Sequence, residues 1–138
     1  MLKSTGIILG LAIAITGAAT FAVSSGVNAA GHKAGVVKKA VVNGKVLFTN
    51  PKGHTLYTFD KDTDGVSNCN GGCAKKWPPV KAKVKGMMAG DYTVIERKDG
   101  SLQWAYKGHP LYTWFKDTRA GQTSGDGVKG VWHVARPY

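Results

Sequence analysis

The stretch KGHTLYTFDKDT at residues 52–63 returns as KGHPLYTWFKDT at residues 107–118, an offset of 55. Nine of the twelve aligned positions are identical, and Trp77 and Trp132 keep the same offset beyond the motif. A match of this length at a single offset is the signature of an internal repeat. The sequence therefore predicts two copies of one structural unit, and this repeat decides the fold.

Each copy contains the pattern of a β-hairpin. Apolar and β-branched residues flank Asn43-Gly44 in the first copy, and the runs 92–97 and 101–106 flank Asp99-Gly100 in the second. Such dipeptides favour a primed two-residue turn, which in type I′ needs positive φ at both central residues. The sequence predicts further strands at 54–59, 110–115 and 130–135, and one helical turn between 71 and 77.

These elements predict a small all-β domain, made of two tandem, pseudo-symmetric repeats of antiparallel hairpins. The repeats would span about residues 36–90 and 91–138. Either repeat alone is too short to bury much of a core, so we expect the pair to fold as one unit.

The first 29 residues have the pattern of a signal peptide. Lys3 precedes a largely apolar run over 6–23, and small residues before Ala30 suit a cleavage site. The mature protein would be a single domain over 30–138, exported to the periplasm, the cell surface or the medium. The alternative is an uncleaved anchor, the one case in which a membrane association is expected.

The predicted mature chain is strongly basic. Without Lys3, it carries 18 Lys and Arg against 8 Asp and Glu, a formal net charge of +10. This balance favours an anionic partner such as an envelope component, although basic charge is also common among exported proteins. Export and the absence of a recognisable motif make nucleic acid an improbable partner.

Cys69 and Cys73 form a close, even pair in an exported chain, which favours a structural disulfide. The alternative is a thiol redox or copper site, because soft thiolates select Cu(I). A nearby histidine would complete such a site, and the candidates are His54, His109 and His133.

The first copy also contains the spacing with which a calcium loop begins, at Asp60, Asp62, Asp64 and Gly65. Hard cations prefer clustered carboxylates, but the bidentate Glu of an EF-hand is missing because its position holds Gly71. The alternative is a polar loop whose Asp side chains accept backbone hydrogen bonds. His54 and His109 occupy matching positions and suggest a shared metal or acid–base role, against the alternative of two surface histidines. The sequence requires neither calcium nor copper.

The repeated motif is Tyr-x-aromatic-x-x-Asp, and its members are Tyr57, Phe59 and Asp62, then Tyr112, Trp114 and Asp117. With the Cys69–Cys73 loop, Trp77-Pro78-Pro79 and the segment around Trp132, this pattern resembles the bacterial "secreted repeat of unknown function" family of predicted lipoproteins. The resemblance implies a tandem-repeat protein of the cell envelope and no established activity. The chain differs in lacking a lipidated Cys at the predicted cleavage point.

For these motif aromatics we predict packing between the repeats, with a binding groove as the alternative. Asp62 and Asp117 are predicted to fix the turns that follow their strands. The sequence shows no nucleophile elbow, no phosphate-binding Gly loop and no paired carboxylates set against a His, so it does not indicate catalysis. The function that follows is a non-enzymatic envelope module that binds an unknown ligand. The alternatives are a metal or thiol redox accessory protein and a calcium-stabilised structural repeat.

Overall fold

The computed structural model describes residues 36–138, so the predicted signal peptide lies outside the described residues. Its strands are β1 Lys38–Val42, β2 Lys45–Thr49, β3 Tyr57–Phe59, β4 Met88–Ala89, β5 Tyr92–Glu96, β6 Leu102–Tyr106, β7 His109–Pro110 and β8 Trp132–Val134. One short helix, α1 Gly72–Lys76, and a 3₁₀ turn, Val128–Gly130, complete this part. Every strand pairing is antiparallel, which confirms the predicted all-β class. No helix over 36–138 has the length and apolar content to cross a bilayer.

The first predicted hairpin is confirmed with its turn. β1 pairs with β2 from Lys38↔Thr49 to Val42↔Lys45, so Asn43 and Gly44 are the two loop residues. Their φ angles are 49° and 73°, as a type I′ turn requires. The hairpin is therefore specified locally.

The second hairpin is confirmed, but the prediction of a primed turn at Asp99-Gly100 was wrong. The Arg97 N–H donates to Ser101 O (2.8 Å) and the Gly100 N–H donates to Arg97 O (2.9 Å), which leaves a three-residue loop. Only Gly100 in this loop has positive φ, at 82°. This is the pattern of a type I turn followed by a glycine bulge. The pairing of β5 with β6 decides the loop length, which the dipeptide alone does not.

The strands predicted at 54–59 and 110–115 are shorter than expected. Tyr57 and Tyr112 exchange both backbone hydrogen bonds, at 2.8 and 3.0 Å, where the two motif strands cross. The motif strands pair with each other at this one bridge. Beyond it, β3 pairs with β8 of the second repeat, and Tyr112 also bridges to Pro79 of the first. The structure therefore uses each motif strand to join the repeats.

Each repeat also contributes a segment that bonds to the residue before the motif tyrosine of the other repeat. The Ala135 N–H donates to Leu56 O (2.8 Å), and the Val80 N–H donates to Leu111 O (2.9 Å). The donors are 55 residues apart, and so are the acceptors, so the two bonds are related by the repeat. The segment around Val80 and the end of the β8 segment thus each bond to the opposite repeat.

Two clusters of buried apolar residues form the core. The first contains Val37, Phe48, Leu56, Val80, Tyr92, Trp104, Tyr106, Leu111 and Ala135. The second contains Leu47, Tyr57, Cys69, Trp77, Tyr112, Trp114, Trp132 and Val134. Neighbouring residues of β2, Leu47 and Phe48, belong to different clusters, because both faces of this strand are covered. The second cluster holds the aromatic residues of the candidate site.

Candidate functional site

Four aromatic rings form one continuous stack in the second cluster. The centroids of Phe59 and Trp132 are 4.2 Å apart, those of Trp132 and Trp77 are 3.7 Å apart, and those of Trp77 and Trp114 are 3.9 Å apart. The planes of the two inner rings differ by 3°. The inner rings are repeat equivalents of each other, and so are the outer rings. Each repeat therefore contributes one inner and one outer ring.

The stack forms a wall of an open cleft of about 430 Å³. The rest of the lining is Lys61, Gly72, Cys73, Lys76, Val128, Lys129 and Val131. Trp77 and Trp132 each have a ring stacked on both faces, so only their edges are left to contact an occupant. The volume suits a small organic molecule.

The lining charges of the cleft have one sign. Lys61, Lys76 and Lys129 are exposed, and none of them has an ion pair among residues 36–138. No Asp or Glu belongs to the lining. The buried Trp114 adds an indole N–H, the one buried side-chain N or O atom without a hydrogen-bond partner in the part of the chain described. The cleft therefore offers positive charge, and one of its lining residues has an unused, buried donor.

Beneath the stack, the motif tyrosines bind the motif aspartates of the opposite repeat. The Tyr57 hydroxyl donates to Asp117 Oδ2 (2.5 Å), and the Tyr112 hydroxyl donates to Asp62 Oδ2 (2.7 Å). The other carboxylate oxygens fix loops, because Asp62 Oδ1 accepts from the Asn68 N–H and Asp117 Oδ1 accepts from the Ser124 N–H. The aspartates thus hold their own turns and also lock the two repeats together.

Alkaline pH is expected to destabilise the protein through these phenols. Burial, and then the hydrogen bonds to Asp117 and Asp62, raise the pKa values of Tyr57 and Tyr112 far above 10.0, and burial raises the pKa of Tyr92 to about 12. Because the folded pKa exceeds the unfolded pKa, this stability is complete below pH 10 and is lost as the pH rises, by about 1.4 kcal/mol per pH unit for each phenol.

Urea unfolding between about pH 9 and about pH 12 measures this loss. The Tyr112→Phe variant is the control, since it has one buried phenol fewer and should show a shallower fall. Equal slopes in the two proteins would contradict the assignment.

The three aspartates of the predicted calcium loop contact different partners. Asp60 faces His133 at 2.8 Å, Asp62 binds Tyr112, and Asp64 lies against Gly108, where an added Cβ would come within 1.8 Å of Asp64 Oδ1. Burial raises the pKa of Asp62, which disfavours its charged form. Among residues 36–138, no group of three or more His, Cys, Asp or Glu side chains is arranged to hold a metal ion. Calcium binding therefore stays a prediction without a preformed group of ligands.

The three candidate histidines each contact different residues. The His109 ring lies 6.1 Å from the Tyr138 ring, His133 pairs with Asp60, and His54 sits beside the turn that follows β2. None of them lines the aromatic cleft. The shared role of His54 and His109, and the copper site, stay predictions.

Cys69 and Cys73 are joined in a disulfide, which confirms the predicted bond. Cys69 is fully buried, whereas Cys73 is half-buried and lines the cleft. The bond closes the loop that leads into α1, the helix that carries Lys76. Whether the pair also has a redox role stays a prediction.

Replacement of both cysteines by alanine is expected to cost about 2 kcal/mol of unfolding free energy. A bond across so short a loop removes little entropy from the unfolded chain, which sets this modest value. Urea unfolding of the parent and of the double variant, each with and without a reductant, measures the cost. The reductant should shift the parent midpoint and leave that of the variant unchanged; a parent that does not respond would show that the bond contributes nothing.

Arg97, which no sequence motif singled out, ties the disulfide loop to the second hairpin. Its guanidinium is buried and donates to Ser67 Oγ (2.8 Å), Gln103 Oε1 (2.7 Å) and Cys69 O (2.6 Å). Ser67 in turn hydrogen-bonds the Tyr112 hydroxyl (2.7 Å). Arg97 is two residues after the buried Ile95, so strand alternation places both side chains on the same inward face. This spacing could have indicated that Arg97 is buried.

A comparison with protein-family models gives one match, to the family described as "Secreted repeat of unknown function", at residues 40–81 and again at 93–136. The two matches confirm the predicted tandem repeats and together cover more than half of the chain. No curated protein and no solved structure matches significantly.

Proposed function

This chain belongs to the family of secreted repeats of unknown function, and from that premise we propose that it is a non-enzymatic binding module of the cell envelope. The family description makes it an exported protein. We propose further that its ligand site is the aromatic cleft, and that the protein is located in the periplasm or at the cell surface.

The observation that carries this proposal is the wall of four stacked rings beside an open cleft of about 430 Å³. Ligand sites are typically concave and largely apolar, with a few polar groups that orient the ligand. The cleft has these properties, and its polar groups are lysines, which bind by charge. Among residues 36–138, no His, Asp or Glu that would supply acid–base chemistry belongs to the lining. This composition supports binding as the role of the site.

A fragment screen by ligand-observed NMR tests the proposal. Gly72 lines the cleft, and a Cβ added there would meet nothing within 4 Å, so Gly72→Leu should obstruct the cleft without a clash. The control is Lys98→Leu, which places a leucine in an exposed hairpin loop away from the lining. We expect fragments that bind the parent to lose at least about tenfold in affinity in Gly72→Leu and to bind Lys98→Leu normally.

The opposite result is equally clear. If no fragment binds the parent, or if every bound fragment ignores Gly72→Leu, the cleft is not a ligand site and the proposed function fails at its central point.

A further inference from the structure

We propose that the cleft selects an organic anion, that is, a small molecule with a flat apolar body and a carboxylate, sulfonate or phosphate group. This inference rests on the proposed function and adds the chemical class of the ligand. Three separate properties of the lining lead to it, and all three have the same electrostatic sign.

The stacked wall is the first property. An aromatic ring carries negative potential on its faces and positive potential at its edge. Because both faces of Trp77 and Trp132 are covered by other rings, a ligand meets them only at their edges. The same four rings arranged with open faces would attract a cation. Stacked as they are, the inner two favour an anion.

The lysines are the second property. Lys61, Lys76 and Lys129 come from the loop after β3, from α1 and from the 3₁₀ turn, so three separate segments bring positive charge to one cleft. No acidic residue of the lining neutralises them. A bound anion would meet these positive charges without a competing carboxylate in the lining. By contrast, Lys85 outside the cleft is paired with Glu96 at 2.6 Å.

The unpartnered indole is the third property. Trp114 is 8% exposed, lines the cleft, and has no acceptor for its N–H. A buried donor without a partner costs free energy, so an occupant whose acceptor reaches this N–H, after a shift that uncovers the nitrogen, is favoured over one without an acceptor. The equivalent residue of the first repeat is Phe59, which has no donor. Of the two outer rings of the stack, only Trp114 therefore has an N–H without a partner.

The apolar body of the ligand follows from the rest of the lining. Val128, Val131 and the aromatic side chains supply apolar surface, and a simple inorganic anion would leave that surface exposed to water. The cleft volume of about 430 Å³ is in the range of sites for small organic molecules. A compact anion with no apolar part would contact only the lysines and would leave the apolar lining uncovered.

A pair of fluorescent probes tests the inference. Anilinonaphthalene sulfonate has an apolar ring system with one negative charge, and phenylnaphthylamine has the same ring system without the charge. We expect the purified parent protein to bind the sulfonate at a ratio of one to one, with at least about tenfold preference over the uncharged probe, seen by energy transfer from the stacked tryptophans.

Charge-reversal variants locate the effect. Lys76→Glu and Lys129→Glu should each weaken sulfonate binding by about three- to tenfold and leave the uncharged probe unaffected. Lys98→Glu makes the same charge change at an exposed site outside the cleft and should alter neither probe by more than about twofold. Trp114→Phe keeps an aromatic ring, copies the residue of the first repeat and removes the N–H. It should weaken the sulfonate by a few-fold and spare the uncharged probe.

The outcomes separate this inference from the proposed function. If both probes bind equally and both are lost in Gly72→Leu, the cleft is a ligand site but the preference for anions is overturned. If Lys98→Glu acts as strongly as Lys76→Glu, the selectivity comes from net charge, and the inference also fails. If Gly72→Leu changes neither probe, the cleft takes no part in binding, and both proposals are overturned.

Discussion

Two separate polypeptides, residues 36–90 and 91–138, are expected to remain unfolded when each is prepared alone. The first would lose β8, which pairs with β3, and the second would lose the segment around Val80 that bonds to Leu111. Each would also lose one partner from both Tyr–Asp hydrogen bonds. Chains of about 50 residues without these partners bury too little surface to offset their conformational entropy.

The dispersion of amide signals in NMR spectra measures this result directly. The control is the unbroken 36–138 chain under the same conditions. When the two pieces are mixed in equal amounts, we expect dispersed signals to return in a concentration-dependent way, because folding then requires association. A dispersed spectrum from either piece alone would contradict the bonding of these two segments to the opposite repeat as the basis of the fold.

Trp132→Ala is expected to cost about 3–5 kcal/mol of unfolding free energy, the largest effect of any single substitution proposed for this chain. The Trp132 side chain is 3% exposed and has a ring stacked on each face, so its removal leaves a cavity between Phe59 and Trp77. Neither neighbour can collapse into that space, because each is held by its own strand or loop. The loss would consume a large share of the stability of a small domain.

Urea unfolding at constant pH measures this effect, with Phe115→Ala as the control. Phe115 is 48% exposed and touches Trp114 only at an edge-on angle, so its loss should cost less than about 1 kcal/mol. Trp132→Phe keeps one ring in the stack and should fall between the two. If Trp132→Ala costs no more than Phe115→Ala, the stack does not stabilise the repeat interface.

Local patterns in the sequence were sufficient to predict those features of the structure that depend on neighbouring residues. Asn43-Gly44 specifies its own turn, since both residues tolerate positive φ and the flanking runs supply the strands. The Cys69–Cys73 bond follows from short spacing in an exported chain. Asp99-Gly100 looked equivalent and was not, because the β5–β6 pairing sets a three-residue loop around it. Such a dipeptide favours a primed two-residue turn, but the turn forms only where the register of the flanking strands leaves a two-residue loop.

The long-range contacts that join the repeats were beyond sequence reasoning. Alternation along the motif strands indicates that Tyr57 and Phe59 share a face, but not that Tyr57 meets Asp117, 60 residues away. A carboxylate in the next loop of the same repeat was as plausible a partner. The same holds for Arg97, whose inward parity was visible while its three acceptors were not.

The sequence by itself determined that this chain is a pair of β-hairpin repeats, because the 55-residue offset and the hairpin patterns are properties of neighbouring residues. Only the tertiary structure decided that the repeats are intertwined, so that Tyr57 and Tyr112 bind across the interface and Trp77 stacks on Trp132. The physical reason is that hydrophobic periodicity predicts which side chains are buried, because it depends on neighbouring residues. Their partners in the core depend on contacts between residues far apart in the sequence, which form only when long loops close.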